Sequence, residues 1–199
     1  MKNNNALIII AKYPVNGSVK TRLKGHMPDD KILELYSHLL ETTIQKLRSI
    51  DGVDTFIAFA PQEAASFFSK YNLRLISLSD GDLGMRMFSA FENIFNHDYE
   101  NAVLVGADIP DLSSKNILNA LQLLSAHDLA YGPAEDGGYY LVGMRKLIKE
   151  VFEEIPWSSN VTLERSIARA KKFKYSVSYT ETLYDIDTID DVNRSGLFK

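Results

Sequence analysis

Cysteine is absent from this 199-residue chain, so disulfides, thiolate metal sites and cysteine nucleophiles are excluded. Histidine is scarce: His26, His38, His97 and His127 are scattered and show no metal-ligand spacing. No apolar run approaches the roughly 20 residues of a membrane-spanning helix. The start, Met1-Lys-Asn-Asn-Asn5, leads directly into an apolar run too short for a signal peptide, and a cytoplasmic location is expected. Basic residues are not in excess. The formal net charge of -4 argues against a large nucleic-acid footprint, yet leaves room for a local basic pocket. Repeats, low-complexity stretches and linkers are missing too, so one domain over residues 1–199 is expected. The 45% hydrophobic and 24% charged residues that are present suffice for a substantial core.

The stretch Ala102-Val-Leu-Val-Gly-Ala-Asp-Ile-Pro-Asp-Leu112 organises the rest. Ala102 to Val105 is a short apolar, β-branched run, the pattern of a strand buried on both faces. Gly106 and Ala107 leave the backbone approachable, and Pro110 cannot continue a strand ladder. Asp108 therefore falls at the carboxyl end of a buried strand, where open α/β sheets bind ligands. The other reading of Asp108 is a cap for a helix starting near Ser113.

Ala6 to Ala11 predicts the first central strand, followed by the loop Lys12-Tyr-Pro-Val-Asn-Gly-Ser-Val-Lys-Thr-Arg-Leu23. Lys12, Lys20 and Arg22, with Ser18, Thr21 and Gly17, suit a polyphosphate chemically; a solvated basic loop is the alternative. It is not a Walker A loop, because Val19 stands before Lys20 where glycine is required. Lys31 to Ile50 carries a helical stripe, with Asp29 and Asp30 expected to cap it and to add favourable charge at its start. Strands are expected at Val53–Ala60, Leu73–Leu78, Asp128–Tyr131, Tyr139–Val142 and Tyr175–Tyr179, and helices at Gln62–Tyr71, from Arg86, at Ser113–Ala126, Lys146–Phe152 and Thr162–Phe173. Strands alternating with helices predict an α/β fold, a three-layer α/β/α sandwich with a mostly parallel central sheet.

Three further stretches carry polar groups. In Ser79-Asp-Gly-Asp-Leu-Gly-Met-Arg-Met87, Arg86 reaches a phosphate or pairs with Asp82. In the segment from Gly132 to Met144, Glu135 and Asp136 are held by Gly137 and Gly138, whose freedom permits close approach to a ligand or merely makes a hairpin turn. Trp157, the single tryptophan, is a core plug or a stacking platform. Near the end, Asp185 and Asp187 share a face of an extended stretch, and Thr188 caps a last helix with Asp190 and Asp191 in its first turn.

The stretches Ala11–Leu23, Gly81-Asp-Leu-Gly-Met-Arg-Met87, Gly106-Ala-Asp-Ile-Pro-Asp111, Gly132–Gly143 and Asp185-Ile-Asp-Thr-Ile-Asp-Asp191 together resemble the DUF2064 group, also called selenodomain-associated transferase 1. That group belongs to the nucleotide-diphospho-sugar transferase superfamily, with the GT-A fold. Lys20-Thr-Arg-Leu23 is similar to the Lys-Ser-Arg-Leu of 2-phospholactate guanylyltransferases. The glycine-rich opening loop of the molybdenum-cofactor nucleotidyltransferases is not reproduced, and neither is the Asp-X-Asp of typical glycosyltransferases. The resemblance implies a transferase using a nucleotide-activated substrate, a small-molecule acceptor and magnesium or manganese. A glycosyltransferase with a nucleotide-sugar donor is the first expectation, a nucleotidyltransferase releasing pyrophosphate the second, and a non-catalytic nucleotide-binding protein the third. Asp108 and Asp136 are the expected catalytic carboxylates. Asp108 and Asp187 are the expected metal ligands. Lys12, Gly17, Lys20, Thr21, Arg22, Asp82, Arg86, Glu135, Gly137 and Gly138 are expected to bind the nucleotide or substrate.

Overall fold

A computed structural model describes residues 3–197. Their elements follow in chain order as β1 (Asn5–Lys12), α1 (Asp29–Leu47), β2 (Val53–Ala60), α2 (Ala65–Ser69), β3 (Arg74–Ser77), α3 (Leu83–Phe95) and β4 (Asn101–Val105). Then come α4 (Ser114–Leu124), β5 (Leu129–Pro133), β6 (Tyr139–Met144), α5 (Thr162–Lys172), β7 (Val177–Tyr179) and α6 (Ile189–Ser195). The strands form one sheet in the order β3-β2-β1-β4-β6-β5-β7. Only β6 runs against the others, pairing antiparallel with β4 and β5. The run Ala102–Val105 does occupy the middle of the sheet, between β1 and β6, with all four residues buried.

Alternation along the strands sends side chains to two apolar layers. Leu7, Ile9, Val103 and Val105 pack with Tyr36, Leu40 and Ile44 of α1 and with Ile117 and Leu124 of α4. Ile8, Ala102 and Leu104 pack on the opposite face with Met87, Phe91 and Ile94 of α3 and Ala170 of α5. A third, smaller cluster joins Leu23, Ile32, Leu35, Leu39, Ile186 and Val192. It ties the loop after β1 and the segment before α6 to one side of α1. Among the described residues the expected three-layer sandwich is what is seen.

Three local expectations need correction. Lys146–Phe152 is not a helix; it holds only a 3-10 turn at Glu150–Phe152. Ile148, Val151 and Phe152 are buried at helical spacing, but one turn is too short to sustain a helix on its own. Gln62–Tyr71 divides into a 3-10 turn and the five-residue α2. Asp29 and Asp30 lie in the first turn of α1, where their charge suits the helix end, but no side chain caps it.

Gly84 lets α3 press against the segment after β6. A Cβ built there would lie 2.5 Å from Trp157 Cζ2 and 2.8 Å from the Phe152 carbonyl oxygen. Helix propensity alone favours alanine by about 1 kcal/mol, but overpacking costs about 1–3 kcal/mol. Gly84→Ala is therefore expected to lower the urea unfolding midpoint, with a net loss of up to about 2 kcal/mol. A midpoint that rises would mean that α3 is not held this close.

Candidate active site

The cluster is built from the carboxyl end of β4 outward. Gly106 N–H donates to the Tyr140 carbonyl at 3.1 Å and ends the ladder, and Asp108 follows. Ile186 N–H then donates to the Asp108 carbonyl at 3.1 Å, bringing the segment before α6 alongside. Ile186 is completely buried in the small apolar cluster. Its neighbours Asp185 and Asp187 remain half-buried, beside the strand end. Leu23, in the same cluster and also fully buried, fixes the loop after β1 through the 3-10 turn Thr21–Leu23. Immediately before it, Lys20 has φ 46, a left-handed conformation uncommon for a side chain of this size.

That conformation buries the Lys20 side chain to 5% exposure. Its Nζ donates to Asp108 Oδ2 at 2.6 Å and lies 3.7 Å from Asp187 Oδ1. Arg22 Nη1 pairs with the other oxygen of Asp187. Burial alone would lower the pKa of Lys20, but Asp108, Asp187 and Asp185 reverse that and hold the ammonium above its ordinary value. Asp185 is pushed up to about 6, first by burial and then by the charges of Asp108 and Asp136. Negative charge thus exceeds what Lys20 alone can offset. The Tyr36 phenol, also raised chiefly by burial, donates to the Lys12 carbonyl at 3.1 Å and accepts from Lys12 N–H at 2.8 Å, pinning the end of β1.

A cavity of about 430 Å³ opens over these groups. Lys12, Lys20, Thr21, Arg22, Arg86, Asp108, Asp136, Gly138 and Asp187 line it, so most of the expected site residues come together. Gly17, Asp82, Glu135 and Gly137 are not in its lining. Asp82 is the N-cap of α3, accepting from Met85 N–H at 2.8 Å. Arg86 does not pair with it; Arg86 Nε is buried and has no hydrogen-bond partner. Glu135 makes a two-pronged pair with Arg194 at 2.6 and 3.0 Å. Gly137, with φ 89, packs so close to Asn160 that a Cβ would lie 2.0 Å from the Asn160 oxygen. The Ser113 helix supplies its own cap, since Ser113 N–H and Oγ both donate to Asn116 Oδ1. Asp108 is therefore free of that duty.

The cavity also holds residues to which sequence reasoning gave no ligand role. Tyr36 and Thr162 were read only as helix residues, and Ser158 only as part of a break; Tyr139 belonged to a strand. Trp157, half-buried, both packs on Gly84 and lines the cavity, its ring centroid 6.4 Å from that of Tyr139. Ser158 has φ 59, so it shares with Lys20 a left-handed backbone at the cavity wall. No local pattern announces such a conformation outside glycine.

A divalent cation suits this donor set. Among the described residues no three His, Cys, Asp or Glu side chains gather into a ready cage. Magnesium needs only one or two protein carboxylates, since waters and phosphates complete its shell. Asp108 and Asp187 already converge on a single positive group, the Lys20 ammonium.

Residues 43–159 match the family model described as "Uncharacterized protein conserved in bacteria (DUF2064)". Over 189 residues the chain is 26% identical to a 2-phospho-L-lactate guanylyltransferase of Methanocaldococcus jannaschii, covering 93% of this chain and 80% of that protein. A crystal structure of a candidate nucleotide-diphospho-sugar transferase from Desulfovibrio desulfuricans G20 superposes with a TM-score of 0.90 at 32% identity, covering 96% of this chain and 86% of that one. The 4-diphosphocytidyl-2C-methyl-D-erythritol synthase of Anaerococcus prevotii shares the fold, with a TM-score of 0.64, 13% identity and coverage of 96% and 93%.

Asp185 gives a pH signature. A carboxyl raised from 3.8 to about 6 in the folded protein binds its proton more tightly there than in the unfolded chain. Its contribution to stability is present at acid pH and is lost as pH rises through about 6. Relative to Asp185→Asn, the wild type should lose about 1–2 kcal/mol between about pH 4 and pH 7, allowing for partial exposure. Urea titrations of both proteins at each pH measure this, and a difference that stays flat would show that Asp185 ionises ordinarily.

Proposed function

This chain belongs to the DUF2064 family, and on that premise we propose that it is a nucleotidyltransferase: it takes a nucleoside triphosphate with a divalent cation, transfers the nucleotidyl group to a small-molecule acceptor and releases pyrophosphate. The observation that carries this reading is the buried Lys20 ammonium joined to Asp108 and facing Asp187 at the carboxyl edge of the sheet. Likeness to a guanylyltransferase over 93% of the chain supports nucleotidyl transfer above the glycosyl transfer that the sequence alone puts first.

Asp108 and Asp187 would hold magnesium or manganese, which when bound neutralises charge on the triphosphate. Lys20 and Arg22, drawn away from their carboxylates, would hold phosphate oxygens and stabilise the charge that develops on the leaving pyrophosphate. Lys12, at the cavity edge, adds a third cation from the same loop. Asp136 Oδ1 accepts from Gly138 N–H at 2.8 Å, which leaves Oδ2 to take a proton from the acceptor. The acceptor oxygen then bonds to the α-phosphorus, and the α–β bridging P–O bond breaks. The bonding pair departs with pyrophosphate.

Nucleoside triphosphates with magnesium should raise the thermal stability of the protein, by about 2.7 kcal/mol at 100 times the dissociation constant. Lys20→Ala and Arg22→Ala should each weaken nucleotide binding by about 1–3 kcal/mol in calorimetric titrations. Asp108→Asn should remove the magnesium-dependent part, and also cost about 1–3 kcal/mol of stability because it leaves the buried ammonium with a neutral, partly exposed partner. A wild-type protein that no nucleoside triphosphate stabilises would end this reading, and binding without pyrophosphate release would reduce it to nucleotide binding alone.

A further inference from the structure

We propose that the acceptor is a neutral polyhydroxyl compound that carries neither phosphate nor carboxylate. This rests on the nucleotidyl-transfer reading for what occupies the cation-bearing side of the cavity.

The charges lining the cavity decide it. Its cations are Lys12, Lys20, Arg22 and Arg86, and its carboxylates are Asp108, Asp136, Asp185 and Asp187. The two sets are equal, so the cavity as a whole has no surplus positive charge. Lys20 and Arg22, paired here with Asp108 and Asp187, are the cations that the triphosphate takes in the proposed reaction. Lys12 and Arg86 are the lining cations with no ion-pair partner among the described residues, and a metal-bound triphosphate would engage both. No cation is then left for an anion on the acceptor. An acceptor phosphate would meet four carboxylates offset by one metal ion and by cations already engaged, an arrangement that disfavours its entry.

The wall that remains has its own chemistry. The turn between β5 and β6 docks on the first turn of α5 and the segment before it, where Leu163 N–H donates to the Gly137 carbonyl at 3.1 Å and Gly137 abuts Asn160. This wall offers the cavity the rings of Tyr139 and Trp157, the hydroxyls of Ser158 and Ser159, and the Asp136 carboxylate. Among the described residues it contributes no lysine, arginine or histidine to the lining. Ring faces accept the C–H face of a polyol, while hydroxyls and a carboxylate accept and orient its O–H groups. Asp136 is then placed to receive the proton of the attacking hydroxyl, and the product is a phosphodiester rather than a diphosphate. The guanylyltransferase relatives, by their name, act on a phosphorylated acid, so the proposal separates this chain from them in acceptor.

Trp157, as the only tryptophan, reports the potential of this wall. Its fluorescence is quenched with iodide, caesium and acrylamide in the full-length protein at low salt, free and saturated with a magnesium complex of a non-hydrolysable triphosphate. Each constant is normalised to free N-acetyltryptophanamide. The iodide-to-caesium ratio of the loaded protein should fall roughly two-fold or more below that of the free indole and recover at high salt. A ratio equal to or above that of the free indole overturns the proposal. In parallel, pyrophosphate release is measured with glycerol and glucose against glycerol 3-phosphate, glucose 1-phosphate and 2-phospho-L-lactate. Release driven by any of the three anions above the acceptor-free rate overturns the proposal, and release confined to the neutral members supports it. Failure of the transfer reading is seen separately, as absence of triphosphate binding, and leaves the quenching ratio of the free protein as the measure of the wall.

Discussion

The contact between Lys20 and Asp108 spans 88 positions of sequence and joins the loop after β1 to the end of β4. Burying an ammonium to 5% exposure is costly, and its attraction to one carboxylate seldom repays the desolvation in full. What makes the position tenable is that three carboxylates face it, Asp108 by direct hydrogen bond and Asp187 and Asp185 by charge. What makes it structurally possible is apolar. Leu23 and Ile186 are both completely buried in one cluster beside α1; Leu23 holds Thr21 and Arg22 at the cavity, and Ile186 holds Asp185 and Asp187 there. The chemistry of the site thus hangs on two aliphatic side chains that do not line the cavity.

That division explains what could be read from the residues and what could not. The apolar runs Ala6–Ala11 and Ala102–Val105 mark two adjacent central strands, because a strand buried on both faces leaves no polar alternation to confuse it. The Thr188 cap is equally legible, since its partner Asp191 lies three residues away and both groups of the box are local. Asp108 and Asp187 are expected together only as ligands of one metal; nothing in the sequence itself places the segment 185–187 at the edge of the sheet. The partners themselves were not legible. Lys20 was expected on phosphate, and its pairing with Asp108 depends on a left-handed backbone that no sequence pattern signals. Glu135 pairs with Arg194, whose guanidinium also sits 4.0 Å from the Tyr184 ring, a contact set by how α6 packs. Gly137 turned out to serve packing against Asn160 rather than the cavity. Arg86 makes no ion pair with Asp82, whose carboxylate caps α3 instead.

The placement of the acidic groups follows from the one strand that breaks the parallel pattern. β5 lies parallel to β4 but is separated from it by β6, which runs the other way. A tight connection from β5 to β6 must therefore sit at the carboxyl end of β5, which is also the end of the sheet where β1 and β4 finish. Had β6 been parallel, a crossover would have carried its entry to the opposite edge, and Tyr139 and Tyr140 would lie a strand length away from Asp108. The reversal also lets Tyr139 and Tyr140 open β6 at the cavity, where one ring meets Trp157 and the other strand position receives Gly106 N–H. Topology thus gathers Asp108 from a strand end, Asp136 from a hairpin turn and Asp187 from a helix approach at one rim. The apolar anchors then turn that shared address into a site of about 430 Å³.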